Sequence, residues 1–218
     1  MLHVQRSMAP LTEFAPAWNF AFWTAKYDNL EEIDFMRAWI IDNEQVIIDK
    51  YANTTGRAGD GGTGLGSESL TAQYSKFNLF TETKDIPEFQ RFFKFLRSEY
   101  SKFMKELGTE DRKCSIYSWA NVVRPGQDIK RHNHGGYHFS YLSGNMHFDD
   151  YKTVTSYYNP FDIIQYDMPN VKGGLTFFPS YIFHSVNNHN EDGKRVSMAF
   201  DIFDTAHLKD ADFNSIEF

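Results

Sequence analysis

Past residue 112 the chain breaks into short runs rich in β-branched and aromatic residues, at 115–123, 137–148, 163–166, 175–178, 182–186 and 195–203, separated by turn residues. Closely spaced runs of this kind build an antiparallel sandwich or barrel, because each is too short to bury its apolar face alone. The last run sets the geometry. In an extended chain Val196, Met198, Phe200 and Ile202 share one face, while Arg195, Ser197, Ala199 and Asp201 share the other. One face belongs to a core and the other to a polar cavity.

The front of the chain reads as helical. Asn29 can cap a helix in which Leu30, Ile33, Met36, Trp39 and Ile40 recur on one face, with Glu31 and Glu32 placed to favour the helix dipole. Pro87 opens a second helix with Phe89, Phe92, Phe93, Leu96, Tyr100, Phe103, Met104 and Leu107 at three- and four-residue steps, and Gly108 stops it. Such a stripe has to be buried, and a sheet face is the natural cover. The glycine-rich segment 56–66 lacks the Gly-Lys-Ser/Thr ending of a phosphate-binding loop and reads as a plain loop. With no repeats or linkers, the expectation is one mainly β domain over 1–218, with helical buttresses in 1–112 and the barrel core in 113–206.

Composition narrows the function. A single cysteine, Cys114, excludes a disulfide framework and any Cys-rich zinc module, and suits a reducing cytoplasm. The first residues lack the apolar core of a secretory signal, and no run of about 18 apolar residues occurs, so a soluble, cytoplasmic protein is expected. A net charge of -7, with Lys and Arg scattered among carboxylates, argues against nucleic acid as a partner.

The chemistry concentrates in Arg131-His132-Asn133-His134. In an extended segment His132 and His134 project to the same side, where two imidazoles can chelate one ion. His184 on a distant strand can supply a third, leaving open coordination positions for reactants, and Arg195 can anchor an acidic cosubstrate through its planar fork. Taken singly, each histidine has an ordinary structural explanation, and His3, His189 and His207 are read that way. His138 divides evenly between a place beside the cleft and plain packing.

The order Trp119-Ala120-Asn121, Gly126, His132-Asn133-His134, Leu142-Ser143-Gly144, Gly173-Gly174-Leu175, Phe178-Pro179-Ser180, His184-Ser185-Val186 and Arg195-Val196-Ser197 resembles the Fe(II)/2-oxoglutarate-dependent dioxygenases. The likeness is greatest to a branch often found in marine bacteria and cyanophages, with prolyl-hydroxylase-like enzymes as more distant kin; for a phage protein the host cytoplasm would be the setting. It implies a double-stranded β-helix (jelly-roll, cupin-like), with Fe(II) on His132 and His184 and 2-oxoglutarate held by Arg195 and Ser197. His134 stands where the family usually has Asp or Glu. Two third ligands therefore compete: His134 itself, and Asp149 from His147-Phe148-Asp149.

The leading expectation is a hydroxylating dioxygenase that uses Fe(II), 2-oxoglutarate and molecular oxygen on a small-molecule or peptide substrate. The alternatives are a three-histidine dioxygenase that does without 2-oxoglutarate and a non-catalytic ligand-binding barrel. Loop 56–66 and segment 149–168, with Tyr151, Tyr157, Tyr158 and Phe161, are the expected lids.

Overall fold

The computed structural model describes residues 1–52, 59–135, 141–159, 165–205 and 214–218. In chain order its elements are β1 (Leu2–Arg6), β2 (Asn19–Lys26), α1 (Leu30–Tyr51), a 3₁₀ turn (Leu70–Gln73), α2 (Leu79–Glu82) and α3 (Pro87–Leu107). The strand-rich remainder comprises β3 (Cys114–Val123), β4 (Ile129–His132), β5 (Leu142–His147), β6 (Val154–Tyr158), β7 (Gln165–Pro169), β8 (Gly174–Pro179), β9 (Phe183–Val186), β10 (Arg195–Asp204) and β11 (Ile216–Glu217).

The strands form a seven-stranded sheet in the order β1-β2-β8-β5-β10-β3-β11 and a four-stranded sheet in the order β4-β9-β6-β7. From β3 onward the chain keeps crossing between them, with β3, β5, β8 and β10 in the large sheet and β4, β6, β7 and β9 in the small one. That winding is a double-stranded β-helix, the jelly-roll expected from the sequence.

Both long helices cover the outer face of the large sheet. Asn29 accepts a hydrogen bond from the Glu32 N–H, as a cap should, and α1 then runs for 22 residues. Its stripe is Ile33, Met36, Ile40, Ile47 and Ile48; Leu30 lies outside it. In α3 the proline stands in the first turn, and Gly108 closes the helix at φ +66°, a left-handed conformation that costs glycine little. Phe89, Phe92, Leu96 and Phe103 of α3 join Val196, Met198, Phe200 and Ile202 of β10 in one apolar cluster. The outward face of β10 is therefore core.

Two parts of the fold depart from the sequence reading. Residues 1–112 are not only helical, because β1 and β2 extend the large sheet through the pairing of Trp23 with Phe177. In β2 Phe20 and Phe22 pack with Tyr157 and Phe178, while Trp23 joins the helical side, so both faces are apolar and the usual alternation is lost. Segment 149–168 contains β6 and the start of β7 and is not simply a lid. Its polar residues are held by hydrogen bonds on both faces of β6: the Thr155 hydroxyl donates to Asn170 (2.7 Å) and that of Ser156 to Asp167 of β7 (2.6 Å). Tyr157 is fully buried; Phe161 and parts of the predicted runs 137–148 and 163–166 lie outside the described residues.

Gly144 of β5 explains one small residue in the Leu142-Ser143-Gly144 motif. A methyl group there would meet the Phe200 ring and lie 2.6 Å from the Thr176 carbonyl oxygen, which is backbone and cannot move aside. Gly144→Ala should cost about 1–3 kcal/mol through overpacking. Denaturant unfolding checks this, and an unchanged midpoint would show that the sheet yields at this point.

Candidate metal centre

β4 and β9 pair so that His132 lies directly opposite His184. Opposed residues on adjacent strands project to the same face, which brings two imidazoles from distant parts of the chain together. The chain leaves β4 at His132, and the His134 N–H donates to the Ser180 carbonyl (3.0 Å), turning the third imidazole toward the other two. Ring centroids are separated by 4.4 Å for His132–His184, 5.0 Å for His134–His184 and 5.3 Å for His132–His134. One ligand atom from each lies within 4.8 Å of the other two, and among the described residues no carboxylate or thiol joins the group.

The hydrogen bonds specify tautomers. Nδ1 of His132 donates to the Lys130 carbonyl (2.7 Å) and Nδ1 of His184 to the Ile182 carbonyl (3.2 Å), since a carbonyl can only accept. Nδ1 of His134 faces the Asp201 carboxylate at 2.6 Å. Each Nε2 is left as the nitrogen that can carry a free lone pair. Burial, with His134 nearby, pushes the pKa of His132 down to about 4, and burial with both neighbouring rings holds His184 well below its ordinary value. Neutral imidazole is the form that binds a metal, so these two are ready for one at neutral pH.

The inward face of β10 supplies the other end of the cavity. Arg195 is only 2% exposed, yet among the described residues none of its three guanidinium nitrogens has a hydrogen-bond partner. Burial lowers its pKa to about 10, which leaves it charged at neutral pH. An unpaired buried cation is costly and calls for an anion. Ser197 follows on the same face and lies opposite His147 in β5. Asn145 Oδ1 and His147 Nδ1 are likewise buried without partners. Ser197, Asn145 and His147 line the same cavity as the three histidines, with Thr63 and Phe178 in its walls, and Arg195 lies two residues before Ser197 on the same face of β10. The donor set suits a divalent cation, and the orphaned guanidinium suits a carboxylate beside it.

The structure thus brings together His132, His134 and His184, and places Arg195 and Ser197 along one strand beside them. Asp149 is elsewhere: it forms an ion pair with Arg37 and accepts from the Val196 N–H at 2.8 Å. Trp119 and Asn121 line the cavity, whereas Tyr141 bonds to Tyr100 away from it. Thr63 comes from the glycine-rich loop, where Asp60 accepts from the N–H groups of Gly62 and Gly66. His3 and His189 are hydrogen-bonded away from the site, while His138 and His207 lie outside the described residues. Sequence reasoning missed Asn145 and treated His147 only as part of the rival ligand pair. Strand alternation about Gly144 could have placed both on the inward face.

Residues 117–201 match the family described as "Putative 2OG-Fe(II) oxygenase". No curated protein matches the sequence. EvdO2 from Micromonospora carbonacea var. aurantiaca is 14% identical and superposes with TM-score 0.54, over 84% of this chain and 85% of that one. HygX from Streptomyces hygroscopicus, solved with nickel and 2-oxoglutarate bound, is 10% identical with TM-score 0.51, covering 84% and 83%. A Pseudomonas putida prolyl-4-hydroxylase is 15% identical with TM-score 0.48, covering 84% and 91%.

The buried imidazoles make the metal-free protein sensitive to acid. Burial beside Arg195 pushes the pKa of His147 down to about 3 from an ordinary 6.5. Because the folded value is the lower one, protons favour the unfolded chain. Stability is whole above about pH 6.5 and falls by on the order of a few kcal/mol as pH drops toward 3. Melting temperature measured against pH should fall through this window, and His147→Gln should flatten part of the fall. A profile identical to wild type in the variant would remove His147 from the account.

Proposed function

We propose that this chain, a 2OG-Fe(II) oxygenase in the stretch its family match covers, holds Fe(II) on Nε2 of His132, His134 and His184. The same reading gives Arg195 and Ser197 to the distal carboxylate of 2-oxoglutarate. The reaction is hydroxylation of a small-molecule or peptide substrate. Carbon dioxide is lost from 2-oxoglutarate, one oxygen atom enters the succinate formed and the other enters a substrate C–H bond. The observation that carries this is the Arg195 guanidinium, buried and without a hydrogen-bond partner among the described residues, on the strand face that continues into a cavity with three clustered imidazoles.

When bound, iron would supply the activation of oxygen; the chain supplies position and charge. Arg195 offers two parallel N–H donors to one carboxylate, which fixes the orientation of the cosubstrate as well as holding it. The Ser197 hydroxyl, which already accepts a long bond from Asn121 Nδ2 (3.5 Å), can donate to the same group. Phe178 and Trp119 wall the site with apolar surface, which limits water and strengthens the charge interactions inside. Three neutral imidazoles leave the full dication uncompensated; of the two negative charges of the cosubstrate, one would be met by Arg195 and the other would lie toward the metal.

The setting proposed is the cytoplasm, of the host if the protein is phage-borne. Cys114 is free and buried, and among the described residues no helix is long and apolar enough to cross a membrane. A net charge of -7 makes nucleic acid an unsuitable partner.

Anaerobic addition of Fe(II) and 2-oxoglutarate should produce the weak visible metal-to-ligand charge-transfer band. His134→Ala should abolish it, and Asp149→Ala should retain it. Arg195→Leu should weaken 2-oxoglutarate binding by about 2–5 kcal/mol, roughly 30-fold or more. With oxygen and substrate, succinate should form. A wild-type protein that binds iron but yields neither band nor succinate would refute the assignment and favour a site that does not use 2-oxoglutarate.

A further inference from the structure

The three imidazoles are not equivalent behind the cavity. His132 and His184 each lean on a backbone carbonyl, whereas His134 leans on a carboxylate, Asp201 Oδ1, at 2.6 Å. Asp201 lies on the inward face of β10, at the end of the strand away from Arg195, and is 3% exposed. Both of its oxygens are held: Ser143 Oγ donates to Oδ1, and the Tyr117 hydroxyl donates to Oδ2 at 2.6 Å. Ser143 is itself linked to Ser180, whose carbonyl receives the His134 N–H. Ring and carboxylate are thus fixed to the same small network.

The charge of that network is incomplete. Among the described residues no lysine or arginine forms an ion pair with Asp201, and its one basic partner is His134. Hydrogen bonds satisfy the lone pairs of a buried carboxylate, but its charge still needs a positive counterpart. A dication on Nε2 would stand on the far side of the His134 ring, with the imidazole between the two charges. Carboxylates placed this way fix a ligand's tautomer and raise its basicity.

We infer that Asp201 is a positioning residue that supplies, through His134, the negative charge that a face of three neutral imidazoles lacks. The inference rests on the metal site proposed above. The carboxylate has moved one imidazole outward: His134 occupies the ligand position, and the anion acts on the metal across the ring. One strand then carries both the cosubstrate anchor, Arg195 and Ser197, and the carboxylate that strengthens a metal ligand. Ala199 between them is small enough to leave the cavity open.

Asp201→Asn tests this, because the amide keeps the shape and an acceptor oxygen but loses the charge. Anaerobic Fe(II) titration against a chromophoric chelator should show affinity 10–100-fold below wild type, the range typical for such partners. Metal-free melting temperature should be unchanged or higher, since a buried charge has been removed. Asp201→Ser, with a hydroxyl acceptor and no charge, gives the same reading if the amide packs badly against Tyr117. Placing the carboxylate directly on the metal, with His134→Asp added to Asp201→Asn, should restore the affinity. Wild-type-like affinity in Asp201→Asn would overturn this inference and leave the metal site standing. So would a loss of affinity in both variants that merely follows a loss of metal-free stability. Failure of the wild-type protein to bind Fe(II) would overturn the site and this inference together.

Discussion

β10 is an interior strand of the large sheet, hydrogen-bonded along its length to β3 on one side and along its middle to β5 on the other. Its alternation sorts side chains into two environments. Val196, Met198, Phe200 and Ile202 are wholly buried in the cluster shared with the helices, and Arg195, Ser197 and Asp201 face the cavity side. A slip of one residue would turn four apolar side chains into the cavity and press a guanidinium and a carboxylate against phenylalanines. The large cost of that exchange pins the register. Once it is pinned, the spacing between Arg195 and Asp201 along the inward face is set by the strand itself.

The small sheet completes the arrangement. Pairing of β4 with β9 puts His132 and His184 on one face, and the bond from His134 to Ser180 folds the chain back over them. No single interaction here is strong in isolation. What holds the rings is that each Nδ1 is committed to an acceptor, which leaves each Nε2 as the nitrogen free to bind. A cavity with a buried cation at one end and a carboxylate behind a ring at the other is internally polarised. Hydrogen bonds hold one charge and leave the other free for a ligand.

Much of this could be read in the residues. α1 and α3 were visible because a helix packed on one side keeps its 3.6-residue period, as Phe89, Phe92, Leu96 and Phe103 do. β3, β5, β8, β9 and β10 were visible as apolar runs between turns, whereas β4 and β11 fall in none of those runs. β2 was not, because Phe20, Phe22 and Trp23 bury both of its faces and leave no alternation to detect. β6 was not, because Thr155 and Ser156 have the composition of a loop and are explained only by Asn170 and Asp167, which the pairing of β6 with β7 brings alongside.

By itself the sequence determined which residue types were present and how they alternate: two histidines one residue apart, a third far along the chain, an Arg-x-Ser strand and an acidic residue on its inward face. Those are local properties, since strand and helix periods depend on neighbours in the chain. The tertiary structure decided which acidic residue meets which histidine. His134 and Asp201 are 67 positions apart, and Asp149, with the more familiar spacing, is committed to Arg37 instead. Spacing along the chain cannot choose between them, because the pairing is set by how β4, β9 and β10 come together across two sheets.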